Sequence, residues 1–454
     1  MLRQIRLLIG ISVFWLPLSM LFDGINTLVL PLQISELAEQ NARATNLGLL
    51  TFIGLLAGAF VQPLAGALSD RWQSLLGRKW FIGIGLLLSL ASLLFFSIFH
   101  NIFGVLAGYL AIQVSASIAQ AGQQGLIPDL VDENQRGLAS GLKGFMDIMG
   151  AMLGFVILGQ LLSSDQPSLA LGAIAVTLIV FYLIAVLLTP EDKPTYNVAA
   201  GNTAIPINQV FRLDLTQHAI FARLLVARFL FLLGIYAIGR FLLFFVAERL
   251  GLPANQAAGQ AGNLLAGLAL ITILASPLTG WLADRVGRLP LMAAGTVLAT
   301  VSALMLIWAN STAQILLFGG LMSLGSAAFA GGSWALTADL VPKGSSARFF
   351  GLANFSTAGS AAVAGLLGPI IDWVERISPG NGYTILFIVA AIAFLASVLP
   401  LRHGLMKEVR DVGEKNRNKR KDRADATGLV ILSIPANPAA FEEDQNPQGR
   451  TTQL

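Results

Sequence analysis

The stretch "PLAGALSDRWQSLLGRKW", residues 63–80, decides how the whole chain reads. It sets Asp70, Arg71, Arg78 and Lys79 into a sequence that is oily on either side. Its opening, "PLAGALSDR" at 63–71, resembles "PLTGWLADR" at 277–285, an offset of 214 residues, and each copy is followed by a Gly-Arg pair, Gly77-Arg78 and Gly287-Arg288. Further along, "PDLV" at 128–131 lines up with "ADLV" at 338–341, and Gly141-Leu142 with Gly351-Leu352, now at an offset of 210. The change of four equals the extra length of the first copy between its Asp and its Gly. One insertion explains both registers, and two matches with consistent offsets indicate an internal duplication.

The 454 residues are 55% hydrophobic and only 12% charged, with a mean hydropathy of +0.72; soluble domains carry roughly 25% charged residues. Approximately twelve apolar runs have the length of about 20 residues needed to cross the hydrocarbon core. They are too long for barrel strands and lack strict alternation. The expected fold is an all-α polytopic membrane protein, twelve transmembrane helices in two pseudo-symmetric six-helix bundles. The first run starts with Arg3 and Arg6 but outlasts a signal-peptide core and shows no small-residue cleavage site, so it reads as a retained membrane helix. The expected division is 1–188 for the N-terminal bundle, 189–221 for a cytoplasmic linker rich in Pro, Asn and Gly, 222–403 for the C-terminal bundle, and 404–454 for a disordered basic cytoplasmic tail. Docking of that tail on anionic lipid is the alternative to simple solvation.

Lys and Arg gather in the even-numbered connections and the termini, while the odd-numbered connections hold only Arg43, Arg249 and Arg376. By the positive-inside rule, both termini are expected in the cytoplasm and the protein in the inner (cytoplasmic) membrane. The pI near 9.5 then reflects topology and the tail, so nucleic-acid binding is not implied. There are no cysteines, and the three histidines, His100, His218 and His403, stand far apart in loops or at helix ends, which speaks against disulfides, thiol chemistry and a buried metal site. No phosphate loop of the G-x-x-x-x-G-K-[ST] type is present. No cofactor is expected, and no nucleophile–base pair or metal-ligand cluster suggests an enzyme.

Asp70 and Asp284 fall at the cytoplasmic ends of the second and eighth spans. A carboxylate there can sit against the positive end of a helix from the other half, while Arg71 and Arg285 can reach Asp129 and Asp339. Positive-inside topology accounts for recurring Lys and Arg but does not require a repeated Asp. The expected gate is therefore Asp70, Arg71, Gly77, Arg78, Asp129, Asp284, Arg285, Gly287, Arg288 and Asp339, closing the cytoplasmic side by holding the bundles together.

The D-R-x(n)-G-R pattern between spans 2 and 3, echoed between spans 8 and 9, resembles the signature of the major facilitator superfamily. The likeness covers essentially all twelve spans and implies a transporter that alternates access between two bundles. "LSDRWQSLLGRK" with "GLIPDLVDENQRGLASG" at 125–141 is similar to the glycoside–pentoside–hexuronide:cation symporters and the sucrose:proton symporters.

An ionisable side chain near mid-membrane costs roughly 2.5–3.5 kcal/mol on insertion scales, so each calls for a partner or a wet cavity. Asp23, Lys143, Asp147 and Arg240 stand out. Asn26 lies three residues beyond Asp23 and nearly on its face; under the 214 offset, position 26 corresponds to 240, and Tyr236 sits one turn below Arg240. Lys143 and Asp147, four apart, can pair with each other instead of acting on a solute. Gln113, Gln120, Gln123 and Gln124 offer donors and acceptors that suit a hydroxylated solute or, equally, interhelical hydrogen bonds. The expected solute site is Asp23, Asn26, Gln120, Gln124, Tyr236 and Arg240, with Asp23, Asp147 and Lys143 for proton coupling. Trp15 and Trp334 read as packing residues.

These observations predict secondary transport of a small polar solute, a sugar or glycoside, by proton symport through a monomer. A second reading keeps the fold and exports amphipathic drugs or lysolipids, and a cavity dominated by aliphatic residues would favour it. A third is a membrane sensor that does not transport.

Overall fold

The computed structural model describes residues 2–132, 135–189, 218–340 and 346–402. Most of the expected linker, the tail, and the side chains of Asp70 and Asp284 lie outside the described residues. Among the described residues are twelve helices long and apolar enough to span a bilayer: α1 (Gln4–Leu37), α2 (Gln40–Ser69), α3 (Gly77–Ile98), α4 (Ile102–Ile127), α5 (Arg136–Ser163), α6 (Pro167–Leu188), α7 (Ala219–Leu250), α8 (Ala254–Ala283), α9 (Arg288–Leu306), α10 (Thr312–Thr337), α11 (Leu352–Ile377) and α12 (Gly382–Arg402). The protein is a multi-pass membrane protein. Each helix satisfies its own backbone polar groups, the only open-ended solution available to a chain inside hydrocarbon.

The duplication is visible in the backbone. Gly77 breaks the helical run from α2 to α3 at φ 73°, ψ 160°, and Gly287 separates α8 from α9 at φ 99°, ψ 153°. Side chains rarely adopt this conformation, so glycine is what lets each chain turn tightly and start the next helix on an arginine. Pro63 and Pro277, 214 apart, lie inside α2 and α8 in the same relation.

The two helices that begin the repeats, α1 and α7, form the centre. They bury 72% and 61% of their most apolar windows, more than any other span, whereas α6 and α8 bury 22% each. Phe14, Trp15 and Leu21 of α1 and Phe231, Phe241 and Phe245 of α7 are closed off almost completely. Phe231 stacks on Phe329 of α10 at 3.9 Å between ring centroids.

The two bundles meet at the end opposite the N-terminus. There a Cβ on Gly48 of α2 would overlap the carbonyl of Gly365 of α11, and one on Gly262 of α8 would overlap the carbonyl of Phe155 of α5. The Asp372 carboxylate of α11 accepts from the backbone N–H of Ala44 at 3.3 Å and of Thr45 at 2.6 Å, and Arg376 Nη2 donates to the Asn41 carbonyl at 3.2 Å. Toward the other end, Gly66 of α2, Gly137, Gly141 and Gly144 of α5, and Gly280 of α8 face open space. Among the described residues, the close contacts between the bundles gather at the Asp372 end.

Candidate functional site

At mid-depth α1 departs from α-helical geometry: Ile25–Val29 form a π-turn. Such turns insert one residue into the helix and recur at functional sites. Here the turn contains Asn26, whose Oδ1 is a hub. It accepts from Tyr109 Oη at 2.6 Å, from Gln113 Nε2 at 3.3 Å, and from Arg240 Nη1 at 3.4 Å. Tyr109 itself is fully buried, in space left by Gly54, where a Cβ would collide with the ring.

One turn before Asn26, Asp23 is half-buried and accepts from Ser19 Oγ at 2.8 Å. Asp147 of α5 is also half-buried and lies within electrostatic reach of Asp23. Lys143 does not close an ion pair with Asp147 among the described residues; its Nζ sits 3.8 Å from the centroid of the Trp15 ring on α1. The i, i+4 spacing keeps Lys143 and Asp147 within electrostatic reach of each other, and the lysine also covers the aromatic face. Trp15, expected as packing, therefore borders the charged cluster. Tyr236, half-buried on α7, lies within electrostatic reach of Asp23, Asp147, Arg228 and Arg240.

Two residues of this centre escaped the sequence reading. Arg228 is 5% exposed on α7, and a charge nine residues inside a span was a sufficient signal. Tyr109 gave none, because a tyrosine in an apolar helix reads as packing.

The amides of α4 largely bond to protein groups. Gln113 donates to Asn26; Gln120 Oε1 accepts from Gln62 Nε2 at 3.2 Å; Gln123 Nε2 donates to the Ile11 carbonyl at 2.6 Å. Gln124 is half-buried nearby.

Beside the polar centre opens a cavity of about 260 Å³ between α5, α7, α8 and α10. Ile148, Phe155, Ile238, Leu242, Leu265, Leu268, Ile315 and Met322 line it, with Thr272, Ser323 and Ser326 as its polar lining. Ile148 follows Asp147 in sequence, and Gly239, also in the wall, precedes Arg240.

At the end opposite Asp372 the acids choose other arginines than expected. Asp129 pairs with Arg78 and Asp339 with Arg288, each inside its own bundle; Arg78 Nη1 also donates to Ser69 Oγ at 3.2 Å and Arg288 Nη1 to the Ala335 carbonyl at 2.8 Å. Arg71 is exposed, and Arg285 lies 4.0 Å from the centroid of the Trp281 ring. The reason is the glycine turn, which points Arg78 and Arg288, the residues directly after Gly77 and Gly287, back toward α4 and α10.

Two pseudo-equivalent bundles packed together at one end around a charged centre define a carrier that exposes one site to two sides in turn. The chain belongs to the Major Facilitator Superfamily, whose family model matches residues 16–269 and again 224–439. Its family and fold are those of membrane transporters and not of enzymes.

The quinolone resistance protein NorA of Staphylococcus aureus is 28% identical over 187 residues, which is 41% of this chain and 46% of that relative. The match thus spans about half the length of the curated relative. Among solved structures, a bacterial homologue of the human lysosomal transporter Spinster, inward-facing and occupied, superposes with a TM-score of 0.63 at 14% identity, over 87% of this chain and 93% of that one. The nucleoside transporter NupG gives 0.66 at 14% identity, over 87% and 96%. At these identities the likeness is one of fold.

Proposed function

We propose that this transporter moves amphipathic solutes, driven by protons, across the cytoplasmic membrane with both chain termini inside. The observation that carries the proposal is the apolar cavity beside the polar centre. A solute with a greasy body and a polar head fills both, whereas a sugar leaves the aliphatic wall without a counterpart. Three of the four glutamines that suit a sugar are engaged, Gln113 with Asn26, Gln120 with Gln62 and Gln123 with the backbone. The partial likeness to a quinolone resistance protein leans the same way. A second reading, sugar or glycoside symport, keeps support from the half-buried Asp23, Tyr236 and Gln124.

Asp23 and Asp147 are the proposed coupling pair. Two carboxylates within reach of each other repel in a site of low dielectric, and the repulsion is relieved when one takes a proton or a ligand cation comes between them. The proton and the solute thereby bias the same centre. With the termini inside, the Asp372 end, where the bundles are packed together, is the outer one, so the described state is closed to the outside. In the opposite state the Asp70 and Asp284 regions close, each bundle moving as a unit held by its own arginine–aspartate pair.

The test is transport in proteoliposomes with an imposed pH gradient, comparing a fluorescent aryl amphipath with a radiolabelled disaccharide. The amphipath is expected to move with the gradient, and Asp23→Asn to uncouple that movement. Gradient-driven disaccharide uptake without amphipath movement would establish the sugar reading; movement indifferent to the gradient in both proteins would end the coupling proposal.

A further inference from the structure

Arg228 and Arg240 both leave α7 in the direction of α11. Arg228 Nε and Nη2 each lie 3.4 Å from Thr357 Oγ1, and Nη1 donates to Ser333 Oγ at 3.0 Å. Its guanidinium carbon rests 4.0 Å from the centroid of the Trp334 ring. Arg240 Nη2 donates to the Ala361 carbonyl at 3.4 Å, while Nη1 reaches Asn26. Twelve residues, about 18 Å of helix, separate the two arginines on α7, yet the α11 positions they meet are four residues, about 6 Å, apart. The two side chains therefore lean toward each other, with Tyr236 between them and in electrostatic reach of both.

Each arginine is 5% exposed. Among the described residues neither has a carboxylate within ion-pair distance, and Arg240 Nε is buried with no acceptor at all. The acceptors of Arg228 are neutral hydroxyls that themselves donate to the Ala330 and Ala353 carbonyls. Cross-bracing three helices does not call for a cation here, since a neutral side chain of the same reach would do it without burying charge. Two converging buried cations without an ion-pair partner, Arg240 with Asp23 as the only described carboxylate in electrostatic reach, on the helix whose Ile235 and Gly239 line the cavity, are instead the chemistry of anion capture: planar donors arranged as forks.

We propose that Arg228, Tyr236 and Arg240 form an anion site that receives the phosphate, sulfonate or carboxylate group of the transported solute. The proposal rests on the amphipath reading only for the solute's tail, so the two can be tested apart.

The experiment uses the full chain in phosphatidylcholine nanodiscs and follows the emission of Trp334, with Trp334→Phe as the blank. The probes are octyl phosphate, methyl phosphate and octyltrimethylammonium, each below its micelle-forming concentration. Octyl phosphate is expected to bind saturably, Arg228→Gln to weaken it about tenfold, and Arg228→Lys, which keeps the charge but loses the fork, to recover part of the loss. Octyltrimethylammonium should bind all three proteins alike. If Arg228→Gln does not fold, Arg228→Lys carries the test, with a loss of about threefold for octyl phosphate alone. The anion site is overturned if neither phosphate binds, if octyl phosphate ignores position 228, or if the cationic probe loses as much as the anionic one. Methyl phosphate binding that depends on Arg228, with no gain from the octyl tail, would keep the anion site and sink the amphipath reading; a tail gain without dependence on Arg228 would do the reverse.

Discussion

Arg240 Nη1 lies 3.4 Å from Asn26 Oδ1, and the two positions are 214 residues apart, the offset of the internal repeat. Residues related by a pseudo-two-fold axis touch each other only on that axis. The contact therefore lies on the axis that relates the two bundles, and that axis passes through the polar centre. The duplication gave both positions one ancestral site and divergence supplied opposite halves of a donor–acceptor pair.

Removing the hub leaves three donors unmet. Asn26→Ala deprives Tyr109, Gln113 and Arg240 of their common acceptor, and each buried unsatisfied group costs about 1–3 kcal/mol. A loss of several degrees in thermal unfolding is expected, together with loss of transport. Asn26→Asp should retain the fold, since it keeps the acceptor and adds a charge complementary to Arg240. A wild-type melting temperature for Asn26→Ala would show that the hub is not structural.

The closed end is built twice by the same device. Gly48 meets the Gly365 carbonyl, and Gly262 meets the Phe155 carbonyl; positions 48 and 262 differ by 214, and 155 and 365 by 210, the two registers of the repeat. Gly48→Val or Gly262→Val should wedge its seam apart. Because the chain contains no cysteine, a single Gln33→Cys provides a clean reporter, and an impermeant thiol reagent added on the Asp372 side should label it several-fold faster in either valine variant. Unchanged labelling would mean that the seams yield without opening.

How much of this was readable in advance depends on what kind of force sets each feature. Membrane spans follow from apolar length, which is local, so the twelve helices and the repeat were legible; so was the Asn26–Arg240 correspondence, because an offset is arithmetic. Partner choice was not. Asp129 had Arg71 and Arg78 at comparable sequence distance, and only the backbone direction after Gly77 decides between them. Lys143 had Asp147 within one turn and keeps it in electrostatic reach, but the Trp15 face that it also covers came from another helix. The apolar cavity was invisible for the same reason, being a gap between four helices whose walls each read as ordinary bilayer-facing residues.

Asp372 joins the bundles through backbone donors at the start of α2, where the helix dipole and two free N–H groups favour a carboxylate. It is 4% exposed, so screening is slight. Asp372→Asn keeps the shape and loses the charge, and should lower stability by about 1 kcal/mol, while Asp372→Ala should lose about 1–3 kcal/mol. Both should also raise labelling at Gln33→Cys. Thermal unfolding that ranks the alanine variant at or above the asparagine variant would contradict the capping role.

The repeated arginine–aspartate pairs look alike in sequence but differ in surroundings, and that difference is measurable. Arg78 is 6% exposed and Asp129 24%, whereas Arg288 and Asp339 are 26% and 31% exposed. Gly125 leaves the space that the Arg78 guanidinium fills, since a Cβ there would overlap it. Breaking a buried pair strands a charge and costs about 3–5 kcal/mol, a figure to be discounted here because Asp129 still reaches water; breaking an exposed pair costs about 0–1 kcal/mol. Arg78→Ala should accordingly lower the melting temperature well below that of Arg288→Ala, and Gly125→Leu should reproduce the Arg78 defect by evicting the guanidinium. Equal losses at the two arginines would mean that both pairs act through water-exposed charge, and that burial of the first contributes nothing.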